Sequence, residues 1–195
     1  MDFSFIFDPY IIGVLLSGLG MTLLLSLIAV ILGSLLALIP AFMRLSSNKV
    51  LKFIATSYVE IIRGTPLLVQ VLFIYAAINI PVQSFLGIEL STFVPGMVAL
   101  LVNSSAYVSE VIRGGILSVD RGQSEAALSL GMSKPQIMIR IIMPQAIKNI
   151  IPALGNEFVT IIKETSIFNY LGIAELMYSA LIIKYEVYAI KEIYI

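Results

Sequence analysis

Cysteine and histidine are both absent from this sequence of 195 residues. Their absence excludes thiol and imidazole chemistry, disulfide bonds and the usual zinc-binding motifs, and it leaves the redox compartment undetermined. Chemistry that relies on carboxylates alone stays open. Charged residues are scarce as well, at 12%, and 12 basic residues balance 12 acidic ones. A neutral chain of this kind gives no reason to expect a nucleic-acid partner.

Hydrophobic residues, by contrast, make up 59% of the chain, and the mean hydropathy is +1.01. A soluble domain is about 45 to 50% apolar and about 25% charged. This composition cannot be arranged as one apolar core with a polar surface around it. The sequence therefore predicts an integral membrane protein.

Three long stretches without Asp, Glu, Lys or Arg predict membrane-spanning helices, for which about 20 residues suffice. They cover residues 9–43, 64–88 and 90–109. We expect the second to be entered by helix from about Ser57 and to break near Pro81. The length of the first stretch, and the lack of positive charge before it, argue against a cleaved signal peptide.

Residues 110–144 form the only segment polar enough to lie largely outside the membrane. Residues 145–171 are apolar again and predict a fourth span with a polar stripe. Residues 186–195 are similar to the start of a fifth helix that is too short to span. The predicted fold is a single all-α, polytopic membrane domain over residues 1–195, with four full spans, an incomplete fifth, and a two-helix loop within residues 110–144.

Basic residues predict the orientation. Nine of them fall in two segments, residues 44–63 and 113–148, whereas the N-terminus and the connection over residues 80–92 have none. The positive-inside rule places both basic segments in the cytoplasm and the N-terminus outside. Lys184 and Lys191 do not fit this scheme.

Small residues recur every four positions in the first span, at Ala29, Gly33, Ala37 and Ala41. Such a stripe lets another helix approach closely. Packing within the chain is the main expectation, and a seam between two subunits is the alternative.

The sequence Arg63-Gly64-Thr65-Pro66 opens the second span. Pro66 either starts a helix in its first turn or breaks one, and we expect the Arg63 side chain to extend to the lipid headgroups. We predict a packing role for this motif rather than a chemical one.

Capping signals in the polar segment predict two short helices with a glycine corner. Asp120, with Gln123 and Ser124, can accept hydrogen bonds from the free N–H groups of a helix that runs through Leu130, and Gly131 suits the left-handed residue that closes it. Residues 133–136 then form an S-x-x-Q capping box with Pro in the first turn. We expect Pro144 to end this second helix. Such an element suits a socket on another protein.

The same segment contains Glu125-Ala126-Ala127, Gly131, Ile141 and Met143-Pro144 in the spacing EAA-x3-G-x9-I-x-LP, with Met143 in place of the usual Leu. This pattern resembles the EAA loop of bacterial ATP-binding-cassette importer permeases. Further stretches resemble the branch that carries polar amino acids: YVEIIRGTPLLVQ, NSSAYVSEVIRGGI and PQAIKNIIPALGNEFVTIIKETS. The resemblance covers roughly residues 10 to 175.

The resemblance implies a non-enzymatic permease subunit of the bacterial inner membrane without a cofactor. Its expected partners are an ATPase subunit, a second permease subunit, a periplasmic or lipid-anchored solute-binding protein, and a polar amino acid as substrate. The chain itself has no G-x-x-x-x-G-K-[ST] motif, so it lacks a phosphate-binding loop of that type. The residues implied in ATPase coupling are Ser124, Glu125, Ala126, Ala127, Leu128 and Gly131.

Polar residues on the third and fourth spans predict a substrate path, because ionisable side chains inside a span usually face a cavity or a partner. At 100° per residue, one face of the third span carries Asn103, Tyr107 and Glu110, with Ser104 beside them. The fourth span carries Asn156, Glu157 and Thr160. We expect the two faces to line an aqueous path in which carboxylates bind the ammonium or guanidinium group of an amino acid. For Glu110 the alternative is an ion pair with Arg113.

Two other functions stay open at this point. An ion-coupled secondary transporter would use Glu110 and Glu157 as proton or cation carriers, although it would favour inverted internal repeats, which are not evident. A truncated, non-transporting subunit is the other alternative, because the family normally completes a fifth span.

Overall fold

A computed structural model describes residues 7–85 and 87–186. These described residues are mostly helical, as predicted. Its elements are α1 (Pro9–Leu45), α2 (Lys49–Gly64), α3 (Leu67–Ala77), β1 (Ser84–Phe85), β2 (Ile88–Glu89), α4 (Leu90–Leu117), α5 (Arg121–Ser129), α6 (Lys134–Ile137), α7 (Met143–Glu164) and α8 (Leu176–Glu186). A π-helical turn, Met138–Ile142, joins α6 to α7, and a 3₁₀ segment, Thr165–Leu171, follows α7.

Three of the described helical segments are long and apolar enough to cross a membrane: α1, α4 and the continuous stretch Lys134–Leu171. Helices α2 and α3 qualify together as a fourth, although they meet at an angle of 107°. The membrane protein inferred from the composition is thus confirmed, and the number of spans stays a prediction. Most of the expected start of a fifth helix, residues 187–195, lies outside the described residues.

The second span is broken twice. A sharp bend lies at Thr65-Pro66, the second of the two alternatives for Pro66, and the helix before it begins at Lys49 rather than near Ser57. Helix α3 then ends at Ala77, four residues before Pro81, close to the predicted break. Thr65 adopts extended backbone at ψ 139°, which is the conformation that a following proline imposes. The Thr65 hydroxyl donates to the carbonyl oxygen of Ile61 at 2.9 Å and so satisfies one of the last carbonyls of α2. Between Ala77 and α4 the chain forms a short antiparallel hairpin, β1–β2.

The prediction that Pro144 ends a helix is wrong. Helix α6 continues through the π-helical turn into α7, and Pro144 is the second residue of α7. Proline lacks an N–H, and a wide turn just before it is one way for a helix to absorb that loss. The Gln145 side chain also donates to the carbonyl oxygen of Ile141 at 2.9 Å.

The chain divides into two compact units. The first combines residues 1–29, 67–100 and 160–195. Within its described part, α1 and α8 approach closely, because a Cβ on Gly18 would collide with the Ser179 hydroxyl. A second close approach brings Gly96 of α4 against Phe168, where a Cβ would lie 3.0 Å from the ring. Phe168 is 1% exposed and belongs to the core of this unit.

The second unit combines residues 30–66 and 101–159. Its core joins α1, α4 and α7 through Ala37, Ala41, Val108, Ile112, Ile116, Ala146 and Ile150, all buried. A Cβ on Gly33 would collide with Ser104 of α4. Three positions of the small-residue stripe, Gly33, Ala37 and Ala41, therefore pack within the chain, which confirms the main expectation for them.

Candidate functional site

The polar segment folds into a helical hairpin, which we define as residues 120–137. Asp120 caps α5, since its carboxylate accepts a hydrogen bond from the Gly122 N–H at 2.6 Å. Helix α5 ends in a Schellman motif, in which the N–H of Met132 donates to the Ala127 carbonyl at 3.1 Å and the N–H of Gly131 to the Leu128 carbonyl at 2.9 Å. Gly131 has a φ of +77°, as its predicted left-handed role requires.

The capping box of α6 is also present. The Gln136 side-chain oxygen accepts from the Ser133 N–H at 2.9 Å, and Pro135 stands in the first turn. Both ends of the connection between α5 and α6 are therefore held by hydrogen bonds rather than by packing alone. The glycine corner and the caps on both sides of it are as predicted, whereas the second helix is not short, because α6 continues into α7.

The coupling residues divide between the inside and the outside of the hairpin. Ala127 is 4% exposed and packs inward, while Ser124 is half-buried. Glu125, Ala126, Leu128 and Gly131 are exposed. Leu130, next to the corner, is 83% exposed, and Leu128 is 51% exposed. Neighbouring apolar side chains that are both exposed are one feature of surfaces that bind another protein.

The predicted residues of the third span lie on α4, and their side chains become less buried along the helix. Asn103 and Ser104 are buried, whereas Tyr107 and Glu110 are half-buried. Ser104 packs against Gly33 of α1. Their place on a substrate path stays a prediction, because the contacts described for Ser104, Tyr107 and Glu110 are to the protein itself.

Glu110 is held by two arginines within the second unit. Its carboxylate accepts from the Arg113 guanidinium at 2.5 Å and 3.3 Å, and it forms a short ion pair with Arg44 of α1. The three side chains are between 13% and 29% exposed. The ion pair with Arg113, named as the alternative, is thus present. The sequence did not predict that Arg44 contacts Glu110, because the two residues are 66 positions apart. Only an estimate that both lie at the same level along their helices could have indicated the contact.

Tyr107 contacts Arg63. The guanidinium carbon of Arg63 lies 5.1 Å from the centre of the Tyr107 ring, a cation–π distance. The structure thus gives Arg63 an aromatic partner within the protein, where the sequence had suggested the lipid headgroups. This contact links the last turn of α2 to the predicted path face of α4.

The predicted residues of the fourth span lie on α7. Glu157 and Thr160 are half-buried, and Asn156 is exposed. Asn156 and Glu157 belong to the second unit and Thr160 to the first. Whether this face and the α4 face line one path stays a prediction.

Sequence reasoning also missed Glu175, which lies outside the helices long enough to span. Its carboxylate accepts from the N–H groups of Met177 and Tyr178 at 2.9 Å and 2.8 Å and so caps α8. The residue is 1% exposed. Burial raises its pKa above the usual range of a carboxyl, and the two backbone hydrogen bonds oppose that shift. Glu is not among the favoured capping residues, so no pattern marked it.

Charge is distributed unevenly between the units. The second unit contains nine basic and five acidic residues, including all nine of the basic residues used to predict orientation. Among the described residues, no group of three or more acidic side chains is placed to hold a metal ion. The second unit therefore has a formal net charge of +4 (nine basic minus five acidic residues), and the Glu110 carboxylate within it is paired with two arginines.

Comparison with known proteins gives consistent results. The family described as "Binding-protein-dependent transport system inner membrane component" matches residues 29–185. A Rickettsia prowazekii protein, provisionally named glutamine transport system permease protein GlnP, is 45% identical over 174 residues, which are 89% of this chain and 78% of that protein. The arginine transport system permease protein ArtQ of Bacillus subtilis is 37% identical over 84% of this chain and 73% of its own.

A solved structure is also similar. It is described as an amino acid ABC transporter with histidines, and the matching chain is 47% identical with a TM-score of 0.87. The match covers 100% of this chain and 88% of the other. At this similarity the two chains share one fold over their common length.

Proposed function

Since this chain belongs to the family of inner-membrane components of binding-protein-dependent transport systems, we propose that it is a permease subunit of an ATP-driven importer of polar amino acids. The observation that carries the proposal is the family match over residues 29–185, together with relatives named for glutamine and arginine transport. Proteins of this family are transport permeases rather than enzymes, and the chain is a multi-pass membrane protein of the inner membrane.

The subunit would work as a pair, with two ATPase subunits on the cytoplasmic side and a solute-binding protein outside. In this proposal the helical hairpin docks on the ATPase through Glu125, Ala126, Leu128 and Leu130, the exposed residues around its corner. Ser124, Ala127 and Gly131 maintain the shape of the corner. ATP drives transport only if the ATPase pair binds ATP with different affinity in the inward-open and outward-open states.

Within the second unit, the substrate path would be lined by Asn103, Ser104, Tyr107, Glu110, Asn156 and Glu157. Two arginines already neutralise Glu110, which makes that carboxylate a poor candidate for binding a cationic substrate; Glu157 is the other acidic residue of the predicted path. We therefore assign the substrate ammonium or guanidinium group to Glu157, and the substrate carboxylate to amide and hydroxyl groups such as Asn103.

Transport is tested by co-purifying the chain with a neighbouring ATPase and reconstituting the complex in proteoliposomes. Uptake of labelled arginine, histidine, glutamine and glutamate is then measured with and without ATP. The proposal expects uptake of at least one of them only with ATP. Uptake that needs no nucleotide and follows a proton gradient would instead establish the secondary transporter.

Docking and substrate binding are separated by two variants with one control. The proposal makes Leu130 a hot spot, one of the minority of interface residues whose truncation costs more than about 1 kcal/mol, so Leu130→Ala should reduce ATPase co-purification by about tenfold. Glu157→Gln should raise the KM for cationic amino acids and leave co-purification unchanged. Glu60→Gln, an exposed carboxylate of α2 in the same unit, should change neither. Unchanged uptake kinetics in Glu157→Gln would remove Glu157 from the path.

A further inference from the structure

An apolar cavity of about 380 Å³ lies between α1, α2 and α4 in the second unit. Leu36, Ile39 and Met43 line it from α1, Ile54 and Ala55 from α2, and Val102 from α4. Ile39 is 62% exposed and Ile54 is 52% exposed, so the cavity opens on the apolar outside of the helices. It is separate from the predicted coupling and path residues.

The polar groups in the cavity wall are satisfied by one another. The Tyr58 hydroxyl lies 2.6 Å from the Ser105 hydroxyl and 2.9 Å from the Val102 carbonyl oxygen. The Ser105 hydroxyl also donates to that carbonyl, at 2.8 Å. A polar ligand would therefore find little hydrogen-bonding capacity here, whereas a hydrocarbon chain needs none.

Two lysines extend the same face of α2 beyond the cavity. Lys52 precedes Ala55 by three residues, as Ala55 precedes Tyr58, and residues spaced in this way lie on one side of a helix. Lys49 stands one turn further out. Both lysines are exposed, and within the described part of the chain neither takes part in an ion pair.

From this arrangement we infer that the cavity binds one acyl chain of an anionic phospholipid, whose phosphate contacts Lys49 and Lys52. An apolar wall alone does not select a lipid, because acyl chains are as apolar as the side chains they would contact. Selection comes from the headgroup, since lysines near the membrane surface attract anionic lipid. The inference requires only that the chain is embedded in a membrane, and it does not depend on the proposed substrate or on ATP.

The test uses the full chain in nanodiscs of phosphatidylcholine with a minor fraction of phosphatidylglycerol. The natural sequence has no tryptophan, so an Ile54→Trp variant reports on the cavity without background fluorescence. Bromine on the acyl chains of one lipid at a time quenches tryptophan that contacts that lipid. Phe73→Trp, at a 72% exposed apolar position of α3 in the first unit, is the matched reporter.

We expect brominated phosphatidylglycerol to quench the Ile54→Trp reporter far beyond its mole fraction, and the Phe73→Trp reporter only in proportion to it. Adding Lys49→Gln or Lys52→Gln should weaken the apparent affinity of the cavity for phosphatidylglycerol about fivefold each. Lys148→Gln, which removes an exposed lysine of α7 in the same unit, should leave it unchanged.

Three results would overturn the inference. Quenching at the cavity in proportion to mole fraction would mean that bulk lipid fills it without selection. An equal effect of Lys148→Gln and Lys52→Gln would replace a site with a general surface charge. Quenching by neither lipid would mean that protein, such as a second copy of the subunit, covers the cavity.

Discussion

Adjacent glycines at positions 114 and 115 of α4 should respond to alanine with opposite signs. A Cβ on Gly115 would collide with Ile150 Cγ1 of α7, and it would lie 3.1 Å from Ile150 Cδ1 and 3.4 Å from the Ala146 carbonyl oxygen. A Cβ on Gly114 meets nothing within 4 Å. One substitution therefore tests a helix contact, and its neighbour tests only backbone entropy.

The magnitude follows from two terms. Removing glycine from a helix interior stabilises it by about 0.5 to 1 kcal/mol. Overpacking a core typically costs about 1 to 3 kcal/mol. At this site the colliding atom, Ile150 Cγ1, is bonded directly to the branched Cβ, and the χ1 angle of a β-branched residue in a helix is restricted, so the atom cannot rotate away freely. Gly114→Ala should gain about 0.5 to 1 kcal/mol, and Gly115→Ala, for which the two terms oppose each other, should lose up to about 2.5 kcal/mol.

The assay is the free energy of unfolding of the purified chain in mild detergent, measured by denaturant titration of the wild type and the two variants. A double variant adds a check. Ile150→Ala removes the colliding atom, so Gly115→Ala should cost at least about 1 kcal/mol less in its presence. Equal stability of Gly114→Ala and Gly115→Ala would refute the close approach of α4 and α7.

Three further changes have expected outcomes. Glu110→Ala leaves two partly buried arginines without their carboxylate and should cost about 2 to 3 kcal/mol of stability, less than breaking a fully buried ion pair, because these groups keep some contact with water. A double-mutant cycle with Arg44→Ala should show a coupling energy of about 1 kcal/mol or more. Additive effects of the two substitutions would contradict the ion network. Gly131→Ala forces an alanine into the left-handed conformation and should cost about 1 to 2 kcal/mol of stability, whereas Gly131→Asn should cost less, because asparagine tolerates that conformation better. Thermal melts followed by circular dichroism compare the two variants. Equal melting temperatures would contradict a left-handed conformation at this corner. Glu175→Ala should cost about 1 kcal/mol of stability by removing the cap of α8. Glu175→Gln keeps a side-chain oxygen that can accept the same hydrogen bonds, so it should retain most of the stability lost in Glu175→Ala in the same melts. Equal losses in both variants would mean that the cap contributes little.

Local signals in the sequence predicted local structure well. The uncharged runs located α1 and α4, and the caps at Asp120 and Ser133 located α5 and α6, because each depends on residues within a few positions of one another. Gly131 has the predicted backbone conformation for the same reason. These elements needed no knowledge of what they pack against.

Prolines were harder to interpret, because their effect depends on the surrounding backbone. Pro66 follows a sharp break, whereas Pro144 lies within a continuous helix, and both occur in apolar surroundings. The difference lies in the π-helical turn before Pro144 and in the hydrogen bond of Gln145, neither of which has a residue pattern of its own. For the candidate site, the helix faces followed from periodicity, but the partners of Glu110 and Tyr107 are distant in sequence and could not be predicted from it.

The π-helical turn Met138–Ile142 affects how the helix responds to the deletion of a residue. A turn closed by i→i+5 bonds accommodates one residue more than an ordinary α-helical turn. Deleting a single residue there would convert the stretch to regular α-helix, with the hairpin before it and α7 after it keeping their rotational phase. A deletion within α7 (Met143–Glu164) would instead rotate every later side chain of that helix by about 100°. Within the continuous helix Lys134–Leu171, this turn is therefore a place where the loss of one residue leaves the helical register intact.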